Sequence, residues 1–197
     1  MTRAMRAYAA LIGSVLIIFV FEKYGAYVTA SHALDVDAWH VLGHLVPFAA
    51  GFAALSVAHR GGSPQTMERC ASLFNVLFLG AIAYWAAWKG VTRLVEPVHI
   101  PAFSMLVFAI IGMGGNVFQL YYVHYTRHAH TEAHTYWGQL WHIVGDLLGS
   151  VAVVVAGILM LWQEWVVVDA IAALVVAFIV GLLALTQALN LYRAIKS

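Results

Sequence analysis

Long apolar runs recur along the whole chain, and they constrain its fold more than any other feature. One helix needs about 20 mostly apolar residues to cross the core of a bilayer. Six segments meet that requirement, at approximately residues 5–28, 36–59, 68–94, 100–125, 136–162 and 165–193. Short polar turns separate them, so the sequence predicts an all-α membrane protein with six transmembrane helices in contact with lipid.

The composition supports the same fold class. The 197 residues are 63% hydrophobic and only 10% charged, with a mean hydropathy of +0.85, whereas a soluble domain of this length needs a charged surface. The first apolar run continues to about Tyr27 without the small-residue pattern of a signal-peptide cleavage site, so we expect it to remain as the first helix. A formal net charge of +1 argues against nucleic acid as a partner.

The placement of Lys and Arg predicts the orientation in the membrane. With the N-terminus in the cytoplasm, the outer side has Lys23, Lys89 and Arg93. The inner side then has the larger group, Arg3, Arg6, Arg60, Arg69, Arg127, Arg193 and Lys196. Because cytoplasmic loops have the excess of basic residues, both termini are expected in the cytoplasm. Little follows the sixth helix, so no soluble domain is expected.

The second and fifth predicted helices each have a pair of metal-ligating side chains four residues apart. The second has His40 and His44, and the fifth has His142 and Asp146. Four residues advance a helix by about 400° and 6 Å, so the members of each pair lie on the same face. Two such pairs on facing helices can offer four ligands to one ion. Four is the usual coordination number of zinc, which binds imidazole nitrogens and carboxylate oxygens.

Asp146 is informative about the kind of site, because it lies in an otherwise apolar stretch of the fifth predicted helix. Ionisable groups at membrane depth are costly and usually face a partner, an ion or a water-filled path. The spacing alone does not distinguish a metal site from two histidines that ligate a haem, so a membrane electron carrier of the b-type cytochrome kind stays an alternative. An enzyme is not expected, since the sequence has no nucleophile–base pair and no glycine-rich loop for phosphate.

Two longer patterns and several shorter matches occur in the order of one known family. The pattern S-x-A-L-x-A-D-A-x-H-x-x-x-D, at the entry to the second helix, is matched by Ser31, Ala33, Leu34, Asp37, Ala38 and His40. The pattern H-x-x-G-D-x-x-G-S-x-x-V is met in the fifth helix by His142, Gly145, Asp146, Gly149, Ser150 and Val153. Shorter matches are Glu22, Arg69, Asn116 and Asp169. Over nearly its whole length, the chain resembles the cation diffusion facilitator family of zinc transporters.

The resemblance implies a specific function and site. It implies a proton-coupled antiporter of a bacterial inner membrane that exports Zn²⁺ by alternating access, with Cd²⁺, Co²⁺ or Ni²⁺ as other substrates. Carried over by position, the metal ligands are His40, His44, His142 and Asp146. His44 departs from the family pattern, which most often has Asp there. Fewer hard oxygen ligands should disfavour manganese, magnesium and calcium. The same departure leaves open a relative that binds metal without moving it.

The C-terminal end is a second departure from the family. Members commonly have a cytoplasmic C-terminal domain that dimerises, whereas this chain ends at Ser197, soon after the sixth helix. That domain is therefore expected to be lacking, and a homodimer would have to form through the transmembrane helices. Small residues of the third helix are a candidate surface for it: Ala71, Gly80, Ala83, Ala86 and Ala87.

Other polar residues receive narrower predictions. Asp37 lies three residues before His40 and could support the metal ligands from behind, although a first-turn acid at the membrane interface is the commoner role. Asn116 is predicted to hydrogen-bond between helices, and Asp169 to cap its own helix.

The loop 124–135 is rich in histidine. It contains His124, His128, His130, Glu132 and His134. It resembles the loop between the same two helices in many zinc transporters of the family, which implies a weak cytoplasmic metal collector. A solvated polar loop is the alternative.

Overall fold

The computed structural model describes residues 2–61, 63, 65–125 and 133–196, and the side chains of residues 3, 133–142 and 195 lie outside that description. Within it the chain is all helical, with α1 Arg3–Thr29, α2 His32–Gly43, α3 Leu45–His59, α4 Gln65–Val95, α5 Ala102–Tyr125, α6 Ala133–Gln163 and α7 Val167–Lys196. Six spans are long and apolar enough to cross a membrane, and α2 and α3 together form the second span. The predicted all-α fold with six spans is confirmed.

The second span is interrupted at His44, where the sequence predicts one helix over 36–59. Pro47 gives the physical reason, because proline has no N–H for the carbonyl of Gly43 and its ring crowds that carbonyl. At this point the His44 N–H donates to the carbonyl of Val41, three residues earlier, at 3.0 Å. This bond makes a tighter turn than that of an α-helix. His44 therefore lies at the junction between α2 and α3.

An acidic residue of α7 holds the N-terminus of α2. Ser31 is the N-cap residue, and its hydroxyl accepts a hydrogen bond from the Leu34 N–H at 3.1 Å. The carboxylate of Asp169 accepts hydrogen bonds from the backbone N–H groups of His32 at 2.8 Å and Ala33 at 3.2 Å, and from the Ser31 hydroxyl. The prediction that Asp169 caps its own helix is therefore wrong: a carboxylate is most stabilising where helical N–H groups are unpaired, and here those groups belong to α2.

Helices α1 and α5 approach closely because glycines lie between them. A Cβ added at Gly25 would lie 2.5 Å from the ring of Phe108, and one added at Gly115 would lie 2.6 Å from Ile18. Small residues that let two backbones approach are the usual device of helix packing in membranes. This contact brings the buried faces of α1 and α5 within reach of each other along much of their length.

Two apolar clusters form the core of the described residues, at different depths of the bundle. On α1, α5 and α6 one cluster includes Ala26, Met105 and Val153. On the same helices the other includes Ile18, Val123 and Ile143. Buried polar side chains lie between the two clusters along each of these helices and along the second span. We call them the polar layer: Glu22, Asp37, His40, His44, Asn116, Gln119, Asp146 and Ser150.

The proposed dimer surface on α4 is partly used inside the chain. Ala86 is fully buried in the first apolar cluster, and Ala83 and Ala87 pack against it. Helix α4 packs against α7 of the same chain, because small residues allow close packing of helices within one chain as well as between two. The outer surface of α4 instead has large apolar side chains, with Tyr84 73% and Trp88 65% exposed, as expected for helices that contact lipid.

Asp169→Asn should destabilise the fold, because it removes the charge and one acceptor oxygen from the N-terminus of α2. Hydrogen bonds to charged groups contribute about 1.5–3 kcal/mol each, so we expect the free energy of unfolding to fall by about 2 kcal/mol. Thermal unfolding of the purified chain in detergent, followed by helical circular dichroism, measures the change.

Asp35→Asn is the matched control for this variant. Asp35 also lies in the first turn of α2, but it pairs with Lys23 and both side chains are partly exposed. A pair of this kind contributes about 0–1 kcal/mol. Equal losses of thermal stability in the two variants would contradict the role assigned to Asp169.

Candidate metal centre

Three buried side chains from the second span and α6 meet in the polar layer. Nε2 of His40 lies 3.0 Å from Oδ1 of Asp146. Nε2 of His44 lies 2.6 Å from Oδ2 of the same carboxylate. One ligand atom from each residue can be chosen so that all three lie within 4.8 Å of one another. We call His40, His44 and Asp146 the triad.

Local backbone geometry explains how both histidines reach one carboxylate. His40 is in the last turn of α2 and His44 is its C-cap residue with right-handed helical dihedrals. The two rings therefore stay on one face of the span, with centroids 5.9 Å apart. On α6, Gly145 lets Leu183 of α7 approach so closely that a Cβ would lie 2.8 Å from it. Asp146 is thus directed from a tightly packed part of α6.

The spacing of these atoms suits a four-coordinate divalent ion. Zinc lies about 2.0–2.2 Å from nitrogen and oxygen ligands, so the ligand atoms of a tetrahedral site are about 3.3 Å apart. The separations of 3.0 and 2.6 Å are within about 1 Å of that value, and small side-chain movements would accommodate an ion. His142, the predicted fourth ligand, lies one helical turn before Asp146, and its side chain is outside the described residues.

The triad is closed off from the surface of the bundle. His40, His44 and Asp146 have no exposed surface, and the ring of Phe48 contacts His44 edge-on with centroids 5.9 Å apart. Water is excluded from such a site, so electrostatic interactions in it are stronger than at a surface. Both imidazoles are directed at one carboxylate rather than at opposite faces of a flat ring, and this geometry favours a cation site over a haem site.

Asp37 is buried and lies beyond the first turn of α2, so its interpretation as a first-turn acid is wrong. It is 1% exposed, and its Oδ2 accepts a hydrogen bond from the Ser150 hydroxyl at 2.9 Å. Ser150 in turn accepts one from Nδ2 of Asn116 at 2.8 Å, as predicted for an inter-helical role of Asn116. The early position of Asp37 in the span suggested an interfacial acid, but α2 begins at His32, and Asp37 lies in its second turn on the buried face.

Two further buried polar residues received no role from the sequence. Glu22 on α1 and Gln119 on α5 have no exposed surface, and their side-chain polar atoms have no hydrogen-bond partner within the described part of the chain. An acid inside the first apolar run was a usable signal for Glu22, because such residues seldom face lipid. For Gln119 the signal was its spacing of three residues from Asn116, which puts both on one face of α5.

The structure describes only part of the histidine-rich loop 124–135. His124 lies in the last turn of α5 and is exposed. His128, His130, Glu132 and the side chain of His134 lie outside the described residues.

The sequence is similar to a described protein domain and to several named proteins. The sequence profile described as the cation efflux transmembrane domain matches residues 8–195. The chain is 28% identical over 180 residues to the metal cation efflux system protein CzcD of Cupriavidus metallidurans, an alignment that covers 88% of this chain and 55% of that protein.

Other relatives have similar coverage. The zinc transporter ZitB of Pectobacterium atrosepticum is 27% identical over 170 residues, covering 82% of this chain and 52% of that protein. A protein of Bacillus velezensis named a cadmium, cobalt and zinc/H(+)-K(+) antiporter is 25% identical over 167 residues, covering 82% and 53%. The chain therefore spans about half the length of the curated relatives it matches.

Asp146→Asn should weaken zinc binding strongly, because it removes the charge that both imidazoles share. We expect the zinc affinity of the purified chain to fall by about 100-fold or more, measured by competition with a chelating dye at neutral pH. Asp35→Asn removes an acid from the same bundle away from the triad and should bind zinc like the unaltered chain. Unchanged affinity in a folded Asp146→Asn variant would show that the centre lies elsewhere.

Proposed function

The chain belongs to the cation efflux family by its match over residues 8–195, and we propose on that premise that it exports divalent cations, chiefly Zn²⁺. The observation that carries the proposal is the triad, three buried metal-ligating side chains from two spanning elements. The names of the relatives support it, since they refer to metal cation efflux, zinc transport, and cadmium, cobalt and zinc antiport.

The ligand types indicate which ions the centre prefers. With His142 as fourth ligand, the set has three imidazole nitrogens and one carboxylate. Imidazole suits zinc, cobalt and nickel, whereas magnesium, calcium and manganese prefer oxygen ligands. We therefore expect Zn²⁺ as the main substrate, with Cd²⁺, Co²⁺ and Ni²⁺ as alternatives. The position of His44 supports its place in this set, because its Nε2 lies 2.6 Å from Oδ2 of Asp146.

Transport through this centre requires alternating access. The triad is fully buried, and apolar clusters lie on both sides of the polar layer. An ion can reach the triad only when helices move to open one side or the other. Both sides must not open together, because a continuous path would let ions leak.

In this multi-pass protein of the bacterial inner membrane, we propose that both termini face the cytoplasm.

Protons are the proposed counter-ion. An imidazole in water takes up a proton with a pKa of about 6.5, and a protonated ring cannot ligate a metal. Protons that enter from the acidic side would therefore compete for the histidines and help to release the cation. One relative is itself named an antiporter of cations and protons.

Two further parts of the proposal concern the periphery. The loop 124–135 would collect metal weakly at the cytoplasmic side, with His124, exposed at the end of α5, as its first ligand. A homodimer would form through the transmembrane helices, without Ala86, which is buried in its own chain.

Zinc uptake into proteoliposomes that contain a zinc-sensitive dye tests transport. Asp146→Asn should abolish uptake, because the triad loses its carboxylate. His44→Asp should retain uptake, because it restores an oxygen ligand at a position where the resembled family most often has Asp. Asp35→Asn should behave like the unaltered chain.

Two results would count against transport. Uptake that persists in Asp146→Asn would show that zinc crosses by another route. No uptake in the unaltered chain, under conditions where His44→Asp does transport, would show a protein that binds metal without moving it.

Uptake should also depend on pH in a defined direction. Vesicles with an acidic interior should take up zinc faster than vesicles without a gradient, and a protonophore should remove the difference. Zinc binding should weaken as the pH falls, because protons compete with the metal for the imidazoles, and His44→Asp should lose less of its zinc binding at acidic pH, because a carboxyl in water takes up a proton at a lower pH than an imidazole does. Uptake at the same rate with and without the gradient would refute proton coupling.

A further inference from the structure

Four polar side chains form a second group beside the triad, one from each of four helices. They are Glu22 on α1, Asp37 on α2, Asn116 on α5 and Ser150 on α6, each at most 1% exposed. Ser150 lies four residues after Asp146, and Asp37 three residues before His40, which sets this group about one helical turn, or 5 Å, from the triad. We call these four residues the oxygen cluster.

Hydrogen bonds fix the orientation of three of its members, Asn116, Ser150 and Asp37. Nδ2 of Asn116 donates to the Ser150 hydroxyl at 2.8 Å, and that hydroxyl donates to Oδ2 of Asp37 at 2.9 Å. Because the amide nitrogen of Asn116 faces Ser150, its oxygen is presented elsewhere. The Ser150 hydroxyl has a single proton, so it cannot also serve the second oxygen of Asp37.

Several oxygen atoms of the cluster remain without a donor. Within the described residues, both carboxylate oxygens of Glu22, Oδ1 of Asp37 and Oδ1 of Asn116 are buried and have no hydrogen-bond partner. Neither acid has an ion pair with a described Lys or Arg. Buried acceptors of this kind are rare, since leaving one unsatisfied is costly. A single shared proton serves only two of these oxygens, whereas a cation is ligated by several oxygens at once.

Two glycines make room for these oxygen atoms. A Cβ added at Gly112 would lie 2.8 Å from the carboxyl carbon of Glu22 and would overlap one of its oxygens. A Cβ added at Gly149 would lie 3.3 Å from Oδ1 of Asp37. The backbone of α5 and α6 thus leaves space for the carboxylates where a methyl group would intrude.

We propose that the oxygen cluster is a second cation site, in which Glu22, Asp37 and Asn116 ligate a divalent ion through oxygen alone. The inference rests on the proposed transport function, because the site would be a weaker station for the transported ion between the triad and the end of the bundle where α1 meets α2. Oxygen ligands suit hard cations such as Mn²⁺. Zinc would be held less tightly here than at the histidines, and two ions one helical turn apart would repel each other.

The different ligand types allow the two sites to be tested separately. The probe is Mn²⁺ alone, added to the purified full chain in lipid nanodiscs, with free Mn²⁺ measured by electron paramagnetic resonance. Glu22→Gln and Asp37→Asn should each weaken Mn²⁺ binding by about tenfold or more, and in Glu22→Gln the zinc affinity should change by less than about threefold. His40→Ala should have the opposite pattern, with zinc binding lost and Mn²⁺ binding retained.

A glycine pair tests the geometry without changing any charge. Gly112→Ala should weaken Mn²⁺ binding, because the added methyl group displaces the Glu22 carboxylate. Gly114→Ala is the matched control on the same helix, since a Cβ there would meet nothing within 4 Å. If Glu22→Gln does not fold, Asp37→Asn and Gly112→Ala still decide the question.

Two outcomes would overturn the second site. Mn²⁺ binding that is unaffected by Glu22→Gln, Asp37→Asn and Gly112→Ala would exclude the cluster as its location. Mn²⁺ binding that disappears together with zinc binding in His40→Ala would place both ions at the triad. Either result with normal zinc uptake in proteoliposomes removes only the second site. The expected Mn²⁺ pattern in a chain that shows no zinc uptake would support the site and remove the transport proposal.

Discussion

The contact of Asp146 with two histidines of the second span is the interaction on which the rest of the bundle depends. A carboxylate in the apolar middle of six spans would be very unfavourable alone. Here each of its oxygens faces one imidazole, at 3.0 and 2.6 Å, so that α6 and the α2–α3 junction have to stay in register. Apolar clusters above and below this depth then exclude water from it, which makes the contact stronger still.

The arrangement of the buried polar side chains by depth follows from the same constraint. Histidines and Asp146 occupy one depth, and the carboxylates of Glu22 and Asp37 belong to the next helical turn. Close packing of α1 against α5 through Gly112 and Gly115 brings Glu22 inward instead of leaving it in lipid. Nitrogen-rich and oxygen-rich groups are thus stacked along the bundle, and an ion that moved between them would exchange one type of ligand for the other.

The parts of this structure that local patterns determine could be predicted from the sequence. Apolar length predicted the six spans, and four-residue spacing predicted that His40 and His44 share a face. The parts that depend on contacts between distant residues could not. Asp169 and His32 are 137 positions apart, and nothing in either segment reveals their hydrogen bond. The break at His44 was predictable in principle from Pro47, whereas the buried position of Asp37 depends on how α2 is rotated against α6.

Because the second span is interrupted at His44, its first half, α2, can tilt as a rigid unit about that junction. Helix α2 has 12 residues and is therefore about 18 Å long. A tilt of about 10° about the junction would carry its N-terminal end, with Ser31, through about 3 Å but would move His40 by only about 1 Å. Because Asp169 of α7 holds this end of α2 by hydrogen bonds, α7 would move with it, while His40 and His44 near the junction would keep most of their geometry. Pro47 therefore allows the N-terminal end of α2 to shift while His40 and His44, close to the junction, stay nearly in place.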